Sequence, residues 1–187
     1  MDYTKYKEWL KANLTEERYA HSLGTAECAT ELAEKFGLDK EKAYLGGLIH
    51  DCAKCFSNEE LKEKICNCED LYDGELINPK TYHAPAGAIL AKEELNICDP
   101  EIISATRWHT LGKEDMTEFE KIIFIADKIE KRTRPLEHRE EIEKALEKGL
   151  DNALLVCYGN TIKSLVDRNL KICKTTIDIY NKLLSEL

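Results

Sequence analysis

The stretch GGLIHDCAKCF, residues 46–56, places an imidazole and a carboxylate in an apolar run. Leu48, Ile49 and Phe56 are typical core residues, and His50 and Asp51 lie side by side between them. Removing an ionised carboxylate from water is strongly unfavourable unless the group is paired, protonated or bound to a metal. The stretch therefore predicts that a nearby group or ion compensates Asp51, and the rest of that site should be recognisable elsewhere in the chain.

The composition is that of an ordinary globular protein and limits the partners that it can bind. The chain has 187 residues, enough for one domain with a sizeable core, and 43% of them are hydrophobic and 34% charged. Its net charge of -9 provides no counter-charge for nucleic acid or for an anionic membrane. We therefore predict neither as a partner, and we expect a few local cations or a metal to bind any phosphate-bearing ligand.

No segment has the character of a signal peptide or of a membrane span. The N-terminal residues MDYTKYKEWLKANL are charged and amphipathic, and the apolar run IIFIA at 122–126 is far too short to cross a bilayer. On these grounds the sequence predicts a cytoplasmic protein.

Apolar residues recur with helical spacing along nearly the whole chain, without sustained two-residue alternation. Ser57 and Thr117 each precede a glutamate by three positions, and Asp99-Pro100 is typical of a helix start. We predict an all-α chain that forms a single domain over 1–187. Its expected helices lie at about 3–13, 16–36, 40–54, 85–95, 100–109, 118–131, 139–148 and 151–185, with a short helix after Ser57 and a loop at 69–82.

Four of the eight cysteines have spacings that raise the question of a zinc site. Cys52 and Cys55 form a C-x-x-C pair, and Cys66 and Cys68 follow closely. Structural zinc sites usually place such pairs in tight loops, whereas the first pair here continues a helical pattern, and C-x-C is an unusual second half. We predict that these four are free thiols rather than metal ligands, and that the others are small core residues.

Polar side chains of ligand type interrupt the apolar helical segments at six places. They are His21, His50, Asp51, His83, His109 and Asp127. Each has an ordinary explanation when taken alone, since a single histidine is more often a hydrogen-bonded core residue than a ligand, and Asp127 could form a salt bridge. Their shared context is harder to explain as coincidence. A divalent metal would compensate them together, because it binds neutral imidazole nitrogens and carboxylate oxygens directly.

Lys54 adds a cation to this predicted site. It lies four residues after His50, on the same helical face and one turn along. A fixed cation beside a metal suits an anionic phosphate substrate, since both groups attract phosphate oxygens. The residues alone thus predict a metal centre that acts on a phosphate compound.

The order of these residues resembles the H…HD…D pattern of the HD-domain metal-dependent phosphohydrolases, which are all-helical proteins. The four primary positions are present, and the two further histidines match the subset with six ligand-type side chains. More narrowly, the segments RYAHSLGTAECATELAEKFGLD, AYLGGLIHDCAK, YHAPAGAILA, WHTLG and IADKIE resemble the bacterial YqeK-type proteins, which are symmetrical diadenosine tetraphosphatases. The similarity covers about 18–181, nearly the whole chain.

The resemblance implies an HD-domain helical bundle around a metal site. The core would cover about 16–131, with C-terminal helices at about 139–185 packing on it. The metal is a divalent ion, usually iron in the family, and one or two ions are expected. The implied ligands of the first ion are His21, His50, Asp51 and Asp127, and those of a second ion, if it binds, are Asp51, His83 and His109.

The resemblance also implies which residues handle the substrate. Those expected to be catalytic are Asp51, Lys54, His83 and His109, and those expected to bind substrate are His21, Lys54, His83, His109, Asp127 and Arg132 or Arg134. The arginine is left open because the residues after the final aspartate differ from the family pattern. Thr110-Leu111-Gly112 likewise replaces the usual Thr-Thr-Gly.

The predicted reaction is metal-assisted hydrolysis of a phosphoanhydride, in which an activated water cleaves diadenosine tetraphosphate symmetrically to two ADP. One alternative is another HD nucleotide phosphohydrolase, acting on a nucleoside monophosphate, a deoxynucleoside triphosphate or guanosine tetraphosphate. The other is a non-catalytic HD module that binds nucleotide, although such a module would be expected to have lost some ligand-type residues. The sequence leaves open whether the protein forms a homodimer.

Overall fold

The computed structural model describes residues 2–68 and 71–187, with Asp73 described by its backbone alone. It confirms the all-α prediction, because the described residues contain helices and turns but no strand. The α-helices are α1 (Thr4–Asn13), α2 (Glu16–Phe36), α3 (Lys40–Ile49), α4 (Asn58–Ile65), α5 (His83–Glu93), α6 (Pro100–Trp108), α7 (Glu118–Ile129), α8 (Leu136–Ala145), α9 (Leu150–Asp167) and α10 (Lys174–Glu186).

Several helix starts follow the capping signals in the sequence. Ser57 and Thr117 form the predicted capping boxes at the starts of α4 and α7, each with the glutamate three positions later. The Asp39 and Asp99 carboxylates accept backbone N–H groups at the starts of α3 and α6. These caps satisfy N–H groups that the first turn of a helix leaves without a partner.

The prediction of one helix over 40–54 is wrong, because α3 ends at Ile49 and Cys52–Cys55 form a separate 3₁₀ turn. The His50 ring accounts for this end. Its Nδ1 lies 2.7 Å from the carbonyl oxygen of Gly47, the acceptor that the next helical N–H would otherwise use. The imidazole thus replaces a helical hydrogen bond and leaves Asp51 outside the helix.

The prediction of one helix over 151–185 is also wrong, because the structure has α9 and α10 with a break between them. Asn169 adopts the left-handed conformation there, with φ of 51°, which asparagine tolerates better than most residues. The helix expected from about 85 begins earlier, at His83. Of the loop expected at 69–82, the first two residues lie outside the described residues, and the remainder contains short 3₁₀ turns at Asp73–Glu75 and Pro79–Thr81.

The close approach of α2 and α3 depends on Gly47. A Cβ at this position would lie 2.7 Å from the carbonyl oxygen of Thr25 and 2.8 Å from the Cα of Ala26, so only glycine fits. The contact brings the rings of His21 and His50 to a centroid distance of 5.2 Å. The second glycine of the GGLIHD segment therefore places two histidines from different helices in one site.

α7 runs through the interior and connects the two ends of the chain. It packs on α2, α3 and α6, and also on the C-terminal helices α8 and α9. Its residues Ile122–Ala126 are at most 1% exposed, so the apolar run noted in the sequence is core. No helix in the described ranges is long and apolar enough to span a bilayer.

Candidate metal centre

All six ligand-type residues predicted from the sequence are buried and lie at one place in the bundle. His21 is in the second turn of α2, and His83 begins α5. The others are at the C-terminal ends of helices: His50 and Asp51 follow α3, His109 follows α6, and Asp127 is in the last turn of α7. Helix C-termini carry partial negative charge, so three of them meeting at one point favours a cation there.

The first group of ligand atoms comes from His21, His50 and Asp51, whose donor atoms all lie within 4.8 Å of one another. Asp127 borders this group. Its Oδ1 is 2.9 Å from Nε2 of His21 and 3.8 Å from Nε2 of His50. The Oδ2 of Asp51 is also 3.8 Å from Nε2 of His50.

The orientation of the two imidazoles in this group fits a metal. Nδ1 of His50 is held by Gly47, and Nδ1 of His21 lies 3.2 Å from Oε1 of Glu130, so Nε2 of each ring faces the group. Within the described residues, neither buried Nε2 atom has a hydrogen-bond partner of acceptable geometry. Buried polar atoms rarely stay unpaired in proteins. A divalent ion would give both nitrogens a partner.

The second group consists of Asp51 Oδ1, His83 Nε2 and His109 Nε2. The two nitrogens are 3.0 Å apart and lie 3.2 and 3.3 Å from the oxygen. Ligand atoms about 2.1 Å from one ion are about 3.0 to 3.4 Å apart at octahedral and tetrahedral angles, and the three distances lie in this range. Nδ1 of His109 is held at 2.7 Å by the carbonyl oxygen of Thr106, which directs its Nε2 at the group.

The two carboxylates and His83 have the charge states that metal binding requires, whereas the negative charges of Asp51 and Asp127 outweigh burial and raise the pKa of His50. Burial acts to raise the pKa of the Asp51 carboxyl, but His50, His83 and His109 hold it well below its usual range. Asp127 behaves in the same way, with Lys128 and His21 opposing the effect of burial on its pKa. Burial lowers the pKa of His83 to about 4. Ionised carboxylates and neutral imidazoles are the forms that ligate a metal.

A cleft of about 400 Å³ opens onto both groups and is rich in cations. Its lining includes the side chains of Arg18, Lys54, Lys80, Lys128 and Arg134. Lys54 is half-buried, and burial lowers its pKa. In a chain of net charge -9, five cations around one cleft mark it as a site for an anion.

The structure separates the two arginines that the sequence left open. Arg134 lines the cleft, where its Nη2 is 2.9 Å from Oδ1 of Asp127 and its Nε donates to the Asp127 carbonyl oxygen. Arg132 does not line the cleft, and its Nε lies 2.8 Å from Oε2 of Glu27. Of the residues predicted to contact substrate, Arg132 is therefore the one that the structure does not bring to the cleft.

Sequence reasoning missed three of the cleft cations. Arg18 lies three positions before His21, on the same side of α2, and this spacing could have identified it. Lys128 directly follows Asp127 and forms an ion pair with it at 2.6 Å. Lys80 comes from the segment that precedes α5, and no pattern in the sequence indicated it.

A buried ion pair anchors the segment that carries Lys80. The guanidinium of Arg107 in α6 donates to both carboxylate oxygens of Glu75, at 2.5 and 2.7 Å. The same carboxylate accepts from the backbone N–H of Tyr72. Paired in this way, the two charges can be buried, and they fix residues 71–81 against α6, the helix that His109 follows.

A second cavity of about 570 Å³ continues from the cleft. The two share Lys80, Thr110, Lys128 and Arg134. Apolar and hydrogen-bonding side chains both contribute to its walls, among them Phe124, Ile142, Leu165, Asn78, Asn160 and Ser164. The cations thus lie at the junction between the two groups of metal-ligand side chains and a partly apolar cavity that is large enough for a small molecule.

The two ligand groups found in the described residues contain histidine and aspartate but no cysteine. Cys52 is buried, Cys55 and Cys68 are half-buried, and Cys66 is exposed. That these four are free thiols without a metal stays a prediction. Of the other four cysteines, three are buried as predicted, but Cys98 is exposed, so its assignment to the core is wrong.

Comparisons with known proteins agree with the geometry. The HD domain family matches residues 18–132. A Bacillus subtilis protein named bis(5′-nucleosyl)-tetraphosphatase, symmetrical, is 38% identical over 178 residues, which cover 94% of each chain. A protein of the same name from Halalkalibacterium halodurans is 36% identical and covers 100% of this chain and 99% of its own.

A solved structure extends the likeness to three dimensions. The crystal structure of a protein from Clostridium acetobutylicum, described as a predicted HD superfamily hydrolase involved in NAD metabolism, superposes with a TM-score of 0.92. It is 39% identical and covers 100% of this chain and 99% of its own. The family resemblance in the sequence is confirmed: the chain belongs to the HD domain family and, within it, to the group of these full-length bacterial relatives.

Proposed function

We propose that this chain is a metal-dependent phosphoanhydride hydrolase that cleaves diadenosine tetraphosphate symmetrically to two ADP. The observation that carries the proposal is the pair of ligand groups that share Asp51 beneath a cation-lined cleft. Membership of the HD domain family supports a divalent metal, and the name of the full-length relatives supports the substrate. Iron is the metal that we propose.

The proposed ligands of the first ion are His21, His50, Asp51 and Asp127. When bound, a divalent ion lowers the pKa of water and polarises a phosphate oxygen, which provides both the nucleophile and the electrophile of a hydrolysis. Lys128 and Arg134 contact the Asp127 carboxylate at 2.6 and 2.9 Å. These cations orient the carboxylate and hold it ionised.

His83 and His109 have two proposed roles, depending on the number of ions. If a second ion binds, His83 and His109 would hold it together with Asp51, the residue that belongs to both ligand groups. Without a second ion, the rings contact phosphate oxygens. Burial lowers the pKa of both histidines, so they are neutral near pH 7 and are better suited to ligation than to proton donation.

The cleft cations would bind the polyphosphate and neutralise its charge. Lys54 lies beside the metal groups, whereas Lys80, Lys128 and Arg134 lie where the cleft joins the second cavity. A chain of phosphates running from the metal groups towards the cavity would pass all four. Charge-assisted contacts of this kind stabilise an anionic substrate and the negative charge that develops on the leaving phosphate.

The second cavity is the proposed pocket for one nucleoside. It is continuous with the phosphate-binding cations, and its mixed walls suit an apolar base with a polar rim. A nucleoside held there determines which phosphate reaches the metal groups. If that is the second phosphate from the nucleoside, attack breaks the central anhydride and each half leaves as ADP.

The domain organisation belongs to the same proposal. Residues 1–187 would form one HD domain, since α8 and α9 pack on α7, the helix that carries Asp127. The second cavity also takes lining residues from both parts of the chain. A cytoplasmic location, a homodimer and the absence of nucleic-acid and membrane partners stay predictions.

Replacing Asp51 or Asp127 with alanine should abolish both metal content and hydrolysis, because each change removes an anionic ligand from an apolar cluster. Elemental analysis of anaerobically purified protein measures the first effect, and a nucleotide assay measures the second. Asp39→Ala, which removes a helix cap away from the site, is the control and should retain both. Wild-type metal stoichiometry in both site variants would rule out these ligands.

The two arginines provide a matched pair. Arg134→Ala should raise KM for diadenosine tetraphosphate by about tenfold or more, as expected for a lost charge-assisted contact. Arg132→Ala should change KM by less than about twofold, because an exposed ion pair contributes little. Metal content should be measured in both variants, since Arg134 also contacts Asp127. A larger rise in KM for the Arg132 variant would reverse the assignment.

The second cavity can be filled from an exposed helical position. Ser164→Trp should raise KM for diadenosine tetraphosphate by about tenfold or more, because the indole occupies space that the nucleoside needs. Lys163→Trp places the same side chain at the neighbouring exposed position, which does not line the cavity. Equal KM values for the two variants would place the nucleoside elsewhere.

The products formed at an early time point test the proposed function itself. Chromatography of a diadenosine tetraphosphate digest should show ADP alone, since attack at the central anhydride makes both halves identical. ATP together with AMP would refute symmetrical cleavage while leaving the metal centre in place. Hydrolysis of nucleoside monophosphates, deoxynucleoside triphosphates or guanosine tetraphosphate, with diadenosine tetraphosphate left intact, would favour another HD phosphohydrolase activity.

A further inference from the structure

Glu130 is fully buried immediately after α7, and its carboxylate collects donors from three residues. The backbone N–H of Arg132 donates to Oε2 at 2.7 Å, and that of Thr133 donates to Oε1 at 3.0 Å. The Thr133 hydroxyl also donates to Oε1. The remaining contact of Oε1 is Nδ1 of His21, at 3.2 Å.

The donors around Glu130 fix the direction of that last contact. Both carboxylate oxygens accept hydrogen bonds, from the backbone N–H groups of Arg132 and Thr133 and from the Thr133 hydroxyl, as an ionised carboxylate does. Such a carboxylate only accepts hydrogen bonds, so Nδ1 of His21 must carry the proton. In the neutral ring, the lone pair is then on Nε2, the atom that faces Asp127 at 2.9 Å.

His21 needs such a partner because of its place in the fold. His50 and His109 follow helix ends, where the carbonyl oxygens of Gly47 and Thr106 accept their Nδ1 protons. His21 lies inside α2, where the neighbouring carbonyls accept helical N–H groups. A side-chain acceptor from another element is therefore required, and Glu130 provides it.

Gly24 leaves the space that this carboxylate occupies. It is one turn after His21 in α2, and a Cβ there would lie 2.1 Å from Oε2 of Glu130 and 2.9 Å from its Cδ. Glycine is unfavourable inside a helix because of its conformational freedom. The position of Gly24 is explained by the carboxylate that it accommodates.

We propose that Glu130 is a positioning residue that holds His21 in the tautomer and orientation needed for metal binding, and that Gly24 is required to admit it. The inference rests on the proposed function, because it takes His21 as a metal ligand. Acceptors that hold the second nitrogen of a ligating histidine fix its tautomer and raise its basicity. Glu130 follows the helix that carries Asp127, so the same element positions two ligands.

The first test compares Glu130→Gln with Glu27→Gln. A glutamine amide is uncharged and has one acceptor oxygen, so its NH₂ group would face either His21 Nδ1 or the Arg132 N–H, and any remaining contact with His21 would be weaker than that of the carboxylate. Glu130→Gln should weaken metal binding by about 10- to 100-fold, measured by competition with a metal-binding dye. Glu27→Gln removes the Arg132 contact of the same turn without touching His21, and should leave the metal dissociation constant within about twofold of wild type.

The second test uses glycine positions. Gly24→Ala should displace the carboxylate and weaken metal binding to a similar degree. Gly159→Ala is the matched control, since its Cβ would meet only an ordinary contact 3.7 Å from Tyr180, and it should bind metal as the wild type does. Circular dichroism establishes that each variant is folded. If Gly24→Ala does not fold, the comparison of Glu130→Gln with Glu27→Gln alone tests whether Glu130 positions His21.

Nitrogen chemical shifts of His21 in the metal-free protein provide a readout that a purely structural role would not change. They should show Nδ1 protonated in the wild type and in Glu27→Gln, and a changed Nδ1 signal in Glu130→Gln. An unprotonated Nδ1 in the wild type, or unchanged metal affinity in Glu130→Gln, would overturn the inference. A wild-type protein that binds no metal at all would instead contradict the proposed function, and the nitrogen shifts would still test the role of Glu130.

Discussion

The carboxylate of Asp51 is the constraint on which the rest of the site depends. It is buried at the end of α3, with Oδ2 turned towards His50 and Oδ1 towards His83 and His109. No single neighbour neutralises this negative charge. Some of the surrounding imidazoles are held by other groups through their second nitrogens, and the Nε2 atoms of two of them lie 3.0 Å apart. A shared charge of this kind is stable when cations lie on both sides of it, and the two ligand groups provide places for them.

The backbone orients the side chains of the two ligand groups and brings them together. Carbonyl oxygens at the ends of α3 and α6 hold the rings of His50 and His109, so groups that a helix end leaves free become orienting acceptors. Gly47 lets α3 approach α2 closely enough for the two halves of the first group to meet. The site is therefore a consequence of where helices end and how closely they pack, and the chemistry follows from that geometry.

Much of this arrangement could be predicted because burial and periodicity are local signals. Ionisable residues inside apolar helical runs identified all six ligand-type side chains, and the capping boxes located the starts of α4 and α7. Other features could not be read because they depend on tertiary context. His50 ends α3 by binding Gly47, and Asn169 interrupts the last long helix through one left-handed residue in an otherwise helical pattern.

The cations of the cleft could not be predicted from the sequence for the same reason. Charged residues are common on helices, and only the folded chain distinguishes Arg134, which faces Asp127, from Arg132, which binds Glu27 on another surface. Lys80 depends on a buried ion pair between Glu75 and Arg107, 32 positions apart in the sequence. Such long-range pairs leave no periodic pattern in the sequence. The residues on the substrate side of the site could therefore be identified only from the structure.

Anomalous X-ray diffraction from crystals of the protein purified without oxygen tests the central claim most directly. The account predicts a metal peak within about 2.3 Å of Nε2 of His21 and His50 and of a carboxylate oxygen of Asp51. A second peak, if two ions bind, should lie between Asp51, His83 and His109. Anomalous density confined to cysteine sulfurs, or a metal-free cluster in crystals grown with excess iron, would contradict it.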